Sequence, residues 1–259
     1  MAEGASRARR LEGRTALVTG AGGGIGLGIA RCLAEEGAAL ALADISPEGA
    51  ERTRSEVEAL GAKAVALRVD VAEAAECEAA VKRTCEELGG LHILVNNAGV
   101  IGGPDFRLGL PLTDITEEDW DAAYRVNVKG VFLFCRAALP AMQPGKWARI
   151  INISSRAGRE GREAIPHYSA SKAAVINFTQ ALAREAARDG ITVNAVCPGL
   201  IWSPMWEQLA ALYRAKVSRL EGMTSRQVFE HFVGQIPGGK SFLRGGKPWP
   251  GKERRVGKE

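Results

Sequence analysis

A tyrosine, a lysine and a serine are spaced along the chain in a way that suits proton transfer. Tyr168 and Lys172 are four residues apart, so in a helix their side chains lie on one face. Ser155 lies thirteen residues before Tyr168, just after the apolar run 149–153. An ammonium group beside a phenol favours the phenolate and lowers its pKa from about 10 toward the range of a general acid or base. These three residues are candidate catalytic groups.

The size of the required pKa shift indicates a second positive charge. A shift of about three units needs roughly 4 kcal/mol of differential stabilisation, more than one exposed ion pair supplies. An apolar, β-branched run at residues 15–19 precedes the glycine-rich stretch 20–26, after which apolar residues recur at helical spacing. Strand, glycine turn and helix in this order predict a site for the pyrophosphate of a dinucleotide. The oxidised nicotinamide of such a cofactor would supply the missing charge.

Asp44 stands where a carboxylate would bind the adenosine ribose of that cofactor. It ends a second predicted strand, residues 39–43, about twenty residues beyond the glycine turn. Its charge would repel a 2′-phosphate, so we expect NAD rather than NADP. The alternative is that Asp44 only caps a helix beginning near Pro47, which would still leave a 2′-phosphate without a basic partner.

Each of these features also has a simpler explanation. Glycine-rich turns are common without a ligand, and a Tyr-x-x-x-Lys pair is more often a solvated helix face. A serine such as Ser155 can cap a turn. The inference therefore rests on the joint spacing of the features.

Taken together, the motifs resemble the short-chain dehydrogenase/reductase family, in its compact single-domain branch. They follow the family's order and spacing from about residue 10 to about residue 237. The matching stretches are Thr19-Gly20-Ala21-Gly22-Gly23-Gly24-Ile25-Gly26, Asp70-Val71, Asn96-Asn97-Ala98-Gly99, Asn127 within residues 126–130, Ser155, Tyr168 with Lys172, and Pro198-Gly199 followed by Ile201 and Ser203.

The resemblance implies a role for each catalytic residue. Tyr168 would exchange the hydroxyl proton, and Ser155 would hydrogen-bond the substrate oxygen. Lys172 would lower the pKa of Tyr168 and hold the nicotinamide ribose. Asn127 would bind a water near Lys172 through a local break in a long helix, and this water would begin a proton route to solvent.

The resemblance also implies a cofactor site built from several strand ends. Gly23 stands where phosphate-binding relatives usually carry Arg or Lys, which again favours NAD, and Ser203 replaces the family's usual threonine. The implied cofactor-binding residues are Gly20, Gly24, Ile25, Gly26, Asp44, Asp70, Val71, Asn97, Ala98, Gly99, Tyr168, Lys172, Pro198, Gly199, Ile201 and Ser203.

Strand and helix patterns alternate along the chain, which predicts an α/β fold. We expect a doubly wound parallel sheet, the Rossmann fold, with helices on both faces, in one catalytic domain over residues 1–237 that begins with a flexible segment, 1–10. The candidate strands are residues 15–19, 39–43, 64–69, 93–96, 149–153 and 192–196, and candidate helices include 72–88, 120–142 and 168–188.

Composition supports a soluble enzyme. The 259 residues suit one such domain, and the content of 46% hydrophobic and 25% charged residues is ordinary. No apolar run is long enough to span a bilayer, and residues 1–10 lack the apolar segment of a secretory signal. Five scattered cysteines suit a reducing compartment, so we expect a cytoplasmic protein, and neither they nor the three histidines indicate a metal site.

The sequence departs from the family after Pro237, where relatives continue with a further helix and a last strand. Residues 238–259 show neither pattern and carry seven Lys and Arg against two Glu, which leaves the rest of the chain near −1 against a total of +4. The positive net charge of the chain comes from this segment, so it is poor evidence for nucleic-acid binding by the folded part. We expect a disordered tail, a sheet without the last strand, and a homo-oligomer that keeps the dimer face of helices 120–142 and 168–188 while a tetramer is weakened.

The resulting hypothesis is an oxidoreductase that transfers a hydride between NAD and a secondary alcohol or ketone. The segment after Gly199 would close over the substrate, and Pro204-Met205-Trp206 is similar to relatives acting on small diols, hydroxyketones and polyols. Two alternatives remain: an NADP-dependent 3-oxoacyl reductase, and a catalytically impaired dinucleotide-binding protein.

Overall fold

A computed structural model describes residues 9–107, 109, 111–142 and 147–235. The expected disordered tail, 238–259, and most of the expected flexible N terminus lie outside these residues. The described chain divides into two compact units. The first runs to Gly199 and includes Ser203–Met205, and the second comprises Leu200–Trp202 and the residues from Trp206 onward. The single domain over 1–237 stays a prediction.

The first unit is built on a parallel sheet of six strands in the order β3-β2-β1-β4-β5-β6. The predicted doubly wound α/β fold is confirmed, and each predicted strand begins within one residue of the observed one. The strands are β1 Thr15–Thr19, β2 Ala39–Asp44, β3 Ala64–Arg68, β4 Ile93–Asn96, β5 Ala148–Ile153 and β6 Ile191–Val196. The helices are α1 Gly24–Glu35, α2 Pro47–Ala59, α3 Ala74–Leu88, α4 Glu117–Tyr124, α5 Gly130–Met142 and α6 Pro166–Ala186.

The long helix predicted over residues 120–142 is in fact interrupted. It consists of α4, a π-helical turn at Arg125–Lys129, and α5. Thr116 begins α4, because its hydroxyl accepts a hydrogen bond from the Asp119 backbone N–H at 3.1 Å. The π turn places Asn127 in the fully buried interior.

Apolar side chains cover both faces of the sheet, as a parallel sheet requires. One layer packs under α3, α5 and α6, and the other under α1 and α2. The exception is β6, where Thr192, Asn194 and Val196 are exposed and Val196 keeps 47% of its surface accessible. These three side chains alternate with buried or partly buried ones and so share a face. Among the described residues this face of β6 has no helix covering it.

The glycine turn after β1 allows α1 to approach the strand closely. Gly20 has a φ of 62°, in the left-handed region. A Cβ atom on Gly26 would lie 2.0 Å from the Gly20 carbonyl oxygen, which no side chain tolerates. Gly26 therefore sets the distance between the start of α1 and the end of β1.

The second unit contains α7 Pro204–Lys216, whose first two residues belong to the first unit, and α8 Ser225–Gly234. Within this unit Trp206 stacks on Tyr213 at 6.3 Å between ring centroids and meets Phe229 edge-on at 5.2 Å. Thr224 begins α8 with a capping box. Throughout the described ranges, the helices all fall short of the combined length and apolarity that crossing a bilayer requires.

Replacing Gly26 or Gly28, two glycines of α1, by alanine should have opposite effects on the free energy of unfolding. Gly26→Ala forces the backbone of the turn to move, and we expect the free energy of unfolding to fall by about 2 kcal/mol or more. A Cβ added to Gly28 would have no other atom within 4 Å, so Gly28→Ala should raise the free energy of unfolding by about 0.5–1 kcal/mol through helix propensity. Urea denaturation measures both, and equal effects would contradict the close approach at Gly26.

Candidate active site

The predicted site residues of the first unit gather at the carboxyl ends of the strands. The order of the sheet reverses between β1 and β4, the position at which open α/β sheets bind ligands. Here the Thr19 hydroxyl accepts hydrogen bonds from the backbone N–H groups of Asn97 and Ala98, at 2.9 and 3.1 Å. The Asn97 side chain donates to the carbonyls of Thr19 and Gly20, each at 3.0 Å. These hydrogen bonds join the end of β1 to the residues that follow β4, on the two sides of the point where the strand order reverses.

Tyr168 and Ser155 meet where α6 begins and β5 ends. Tyr168 is only 9% exposed, in the first turn of α6. Burial raises the pKa of its phenol, and interaction with the Ser155 hydroxyl acts in the opposite direction. The Ser155 oxygen also accepts a hydrogen bond from the Ala157 N–H at 3.1 Å, which fixes the orientation of the side chain.

Lys172 is a buried cation behind Tyr168. It is 4% exposed, and its Nζ donates to the Ile153 carbonyl at 2.9 Å and lies 5.8 Å from the centre of the Tyr168 ring. Burial lowers the pKa of Lys172 to about 8, against an opposing effect of Cys197. From the sequence we expected Lys172 to lower the pKa of Tyr168, and this effect stays a prediction.

Asn127 joins three segments around the lysine. Its Oδ1 accepts from the Val100 N–H at 2.9 Å, and its Nδ2 donates to the Val100 carbonyl at 2.9 Å and to the Ser171 hydroxyl at 3.0 Å. The expected local break in the helix is present as the π turn. The amide side chain is thus engaged with protein groups, and the water-binding role of Asn127 stays a prediction.

The start of α1 fits a pyrophosphate. Its N-cap, Gly23, has no side chain to bind the first N–H groups, and no acidic residue lies in the first turn, where Ile25 and Gly26 stand. Ser203 lies beside this turn, with its Cβ 3.2 Å from the position that a Cβ on Gly24 would take. Uncapped N–H groups and a positive helix end favour an anion here.

Asp44 lies beside the same turn. Its Oδ2 accepts from the Gly22 N–H at 2.7 Å and its Oδ1 from the Ser46 N–H at 2.9 Å. The alternative of Asp44 as a helix cap is wrong, because Ser46 caps α2 by accepting from the Gly49 N–H at 3.0 Å. Each Asp44 oxygen keeps a further acceptor site, so the residue also fits a ribose hydroxyl. The chain's residues therefore fit a dinucleotide at this edge of the sheet.

Asp70 and Val71 follow β3 and are held by other parts of the protein. Asp70 accepts from the Ala72 N–H at 2.9 Å and pairs with Arg125 at 3.2 Å. The Val71 side chain is buried against Gly130, where a Cβ would lie 2.8 Å from it. Their contact with an adenine stays a prediction.

The turn at Pro198 runs beside Ser155. The Arg156 N–H donates to the Pro198 carbonyl at 2.9 Å, extending the pairing of β5 with β6. A Cβ added to Gly199 would have no other atom within 4 Å. Ile201 belongs to the second unit, and its place at the cofactor stays a prediction.

His167 is a member of this region that sequence reasoning missed. Its ring is fully buried beside Phe106 at 5.3 Å, and neither ring nitrogen has a well-aligned hydrogen-bond partner in the described part of the chain. Burial lowers the pKa of His167, against smaller effects of the Ile101 backbone and Asp119. A single histidine before a tyrosine forms no pattern, so no signal in the sequence could have pointed to it.

His167 should make the protein less stable in acid. Because its pKa is lowered on folding, the unfolded chain binds the proton more readily, and the free energy of unfolding falls as the pH drops from about 6.5 through the lowered pKa. His92, also with a lowered pKa, contributes with the same sign. In His167→Phe the loss of stability between pH 7 and pH 5 should be smaller, as urea denaturation at each pH will show. Parallel pH profiles would contradict this.

Gly99 leaves just enough space for the candidate catalytic lysine. A Cβ there would lie 3.2 Å from the Lys172 Nζ and 3.0 Å from the Asn127 Oδ1. Gly99→Ala should therefore displace both groups and lower kcat by about tenfold or more, while the fold persists. Steady-state kinetics and circular dichroism test this, with Gly28→Ala as the control. Unchanged kcat in Gly99→Ala would show that the position of Lys172 tolerates the shift.

Comparison with known proteins agrees with this geometry. The family model described as short chain dehydrogenase matches residues 14–213. The chain is 42% identical over 199 residues to the (2S)-[(R)-hydroxy(phenyl)methyl]succinyl-CoA dehydrogenase subunit BbsD of Thauera aromatica, covering 77% of each chain. It is 39% identical over 203 residues to the galactitol 2-dehydrogenase of Agrobacterium fabrum, covering 78% of this chain and 76% of the relative.

A solved structure shares the fold along most of the chain. The crystal structure of NAD+-bound xylitol dehydrogenase matches with a TM-score of 0.80 at 32% identity, covering 89% of this chain and 87% of that one. The parallel sheet, the residues at its carboxyl edge and the match over residues 14–213 agree with one another. The chain belongs to the short chain dehydrogenase family.

Proposed function

We propose that this protein is an NAD-dependent oxidoreductase that interconverts a secondary alcohol and a ketone in a small diol, hydroxyketone or polyol. The observation that carries the proposal is the grouping of the Tyr168 phenol, the Ser155 hydroxyl and the buried Lys172 ammonium at the carboxyl edge of the sheet. As a short chain dehydrogenase, the protein acts on CH–OH groups, as expected from the sequence.

Side chains of the protein itself carry out the proton transfer. The Tyr168 oxygen takes the hydroxyl proton in oxidation and returns it in reduction, while the Ser155 hydroxyl hydrogen-bonds the substrate oxygen. The Lys172 ammonium stabilises the phenolate, which burial alone disfavours. A bound nicotinamide dinucleotide supplies the hydride acceptor or donor and, when oxidised, a positive charge.

The substrate class rests on the relatives. The names of two of them, a galactitol 2-dehydrogenase and a xylitol dehydrogenase, specify polyols. The segment from Pro204 to Trp206, similar to that of polyol-acting relatives, points the same way. For the cofactor, the carboxylate of Asp44 beside the glycine turn favours NAD, and the similar xylitol dehydrogenase structure is NAD+-bound.

Replacing the phenol tests the proposal. The wild-type protein should form NADH steadily from NAD with at least one of a panel of secondary alcohols and polyols. Tyr168→Phe should lower kcat by about 10²–10⁴-fold, because it removes the proton acceptor while the other cofactor-binding residues stay in place. NADH binding, followed by fluorescence, should survive in the variant and serves as the control.

Other outcomes separate the alternatives. Dinucleotide binding without turnover on any substrate would indicate a catalytically impaired binding protein. Turnover restricted to NADPH and a 3-oxoacyl substrate would indicate the reductase alternative. Full activity in Tyr168→Phe would remove Tyr168 from the chemistry.

We further propose a homodimer through α4, α5 and α6. Phe132 of α5 is 43% exposed and touches Phe178 of α6 edge-on at 6.4 Å between ring centroids, and Trp120 of α4 is also exposed. Large apolar side chains at the surface are typical of an interface. β6 is the last strand of the sheet among the described residues, and the lack of a further strand there supports the expectation that a tetramer through this edge is weakened.

A charge at Phe132 should break this dimer. Phe132→Glu places a carboxylate in the apolar contact, so light scattering should show a monomer where the wild type is a dimer. Leu112→Glu is the matched control, because Leu112 is an exposed apolar residue outside these helices. A dimer that persists in Phe132→Glu would place the interface elsewhere.

The free thiols support the proposed cytoplasmic location. Cys32, Cys77, Cys85, Cys135 and Cys197 all lie in the described ranges, and none forms a disulfide there. Unpaired cysteines, one of them exposed, are typical of a reducing compartment.

A further inference from the structure

A tight turn over residues 102–106 lies between α4 and α6. The Phe106 N–H donates to the Gly103 carbonyl at 3.2 Å, which closes the turn. From α4, the Asp119 carboxylate accepts a hydrogen bond from the Gly103 N–H at 3.0 Å. From α6, the His167 ring packs against the Phe106 ring at 5.3 Å between centroids. We refer to Asp119 and His167 as the clamp, because they hold the turn from two different helices.

The turn packs tightly inside this clamp. A Cβ added to Gly102 would lie 2.8 Å from the Phe106 ring and 3.0 Å from the Asp119 Oδ1. The other carboxylate oxygen of Asp119 accepts from the Thr116 hydroxyl at 3.1 Å, so the position of this side chain is also fixed. Asp119 is 7% exposed and His167 is fully buried. The turn therefore moves only if one member of the clamp moves.

The turn follows directly on the residues that contact the candidate catalytic lysine. A Cβ on Gly99 would lie 3.2 Å from the Lys172 Nζ. The backbone of Val100 makes two hydrogen bonds with the Asn127 side chain, each at 2.9 Å. Ile101, which is buried, then joins Val100 to the turn. A displacement of the turn would therefore shift the backbone beside Lys172.

The imidazole of the clamp has no acceptor in place for an added proton. Neither nitrogen of the His167 ring has a well-aligned hydrogen-bond partner among the described residues. The segments that meet at His167 carry several titratable or charged groups, namely Asp105 and Arg107 after the turn, Glu118 and Asp119 on α4, Arg162 and Glu163 before α6, and Tyr168 on α6. Of these, Asp119 is the one whose charge acts on the pKa of His167, and it raises that pKa against the larger effect of burial. A protonated ring therefore attracts the carboxylate that holds Gly103.

We infer that His167 is a positioning residue: its neutral ring, together with Asp119, holds the turn 102–106 and through it the backbone beside Lys172, and its protonation opens the clamp. The importance of Lys172 in this inference rests on the proposed function. A released ring binds a proton with the ordinary pKa of about 6.5, whereas burial lowers the pKa of the ring inside the clamp. The open fraction therefore rises as the pH falls below about 6.5.

Hydrogen exchange followed by mass spectrometry tests the clamp without any catalytic step. Between pH 7.5 and pH 5, protection of the amides of the turn, corrected for the intrinsic exchange rate, should fall by about fivefold or more. The amides of β1 report global unfolding and should lose less protection. In His167→Phe, which keeps an aromatic ring beside Phe106, the turn should stay protected. His92→Gln is the matched control, because the pKa of His92 is also lowered by burial, and it should behave as the wild type does.

Ketone reduction gives a second readout, the pH profile of kcat. In this direction Tyr168 donates a proton, so acid does not remove its role in the proposed function. Between pH 7.5 and pH 5.5, kcat should fall by about threefold or more in the wild type and stay nearly constant in His167→Phe. Asp119→Asn keeps an acceptor for the Gly103 N–H but removes the charge that favours the protonated ring. The midpoint of the opening should therefore move about half a pH unit lower in Asp119→Asn.

The outcomes separate this inference from the proposed function. Equal loss of protection of the turn in the wild type and in His167→Phe overturns the role of His167. An unchanged midpoint in Asp119→Asn overturns the role of Asp119. Opening of the turn with a flat kcat profile overturns the link to Lys172. Opening as expected in a protein that reduces no ketone and oxidises no alcohol supports the clamp and overturns the proposed function.

Discussion

The candidate site depends on a buried ammonium group that has no carboxylate paired with it in the part of the chain that the structure describes. Among the described residues Lys172 has the Ile153 carbonyl as its hydrogen-bond acceptor, and burial lowers its pKa to about 8. The adjoining phenol is also buried, and burial raises its pKa. Each group alone therefore favours its neutral form. The Lys172 Nζ lies 5.8 Å from the centre of the Tyr168 ring, so the two side chains form a buried pair, and in the proposed function their ionised forms would stabilise each other.

Most of the contacts that position Tyr168 and Lys172 are made by the backbone of Lys172. The Ser154 hydroxyl donates to the Lys172 carbonyl at 2.7 Å, and Gly158 approaches so closely that a Cβ would lie 2.6 Å from the carbonyl carbon. On the other side, Asn127 connects Val100 to Ser171, next to the lysine. β5, α6 and the exit of β4 are thereby fixed to one another. The distance between the amine and the phenol follows from these contacts.

Much of the fold could be predicted because its signals are local. Strands such as β1 and β4 are short apolar runs, and the spacing of Tyr168 and Lys172 places them on one helical face. The local break at Asn127 was expected only from the family resemblance, because a single extra residue in a helical turn has no residue signature of its own. His167 was missed for a different reason. Its neighbour Phe106 is distant in sequence, and tertiary contacts of this kind leave no pattern.

The π turn also has a consequence for insertions and deletions. It contains one residue more than an α-helical turn, and each residue of a helix turns the chain by about 100°. Upstream of the turn, the Asp119 carboxylate accepts from the Gly103 N–H at 3.0 Å, and downstream Phe134 is buried in the core. Deleting one residue between them would restore a regular α-helix. It would also rotate Asp119 by about 100° about the helix axis, away from Gly103. The one extra residue of the π turn thus sets the rotation of α4 relative to α5 about the helix axis.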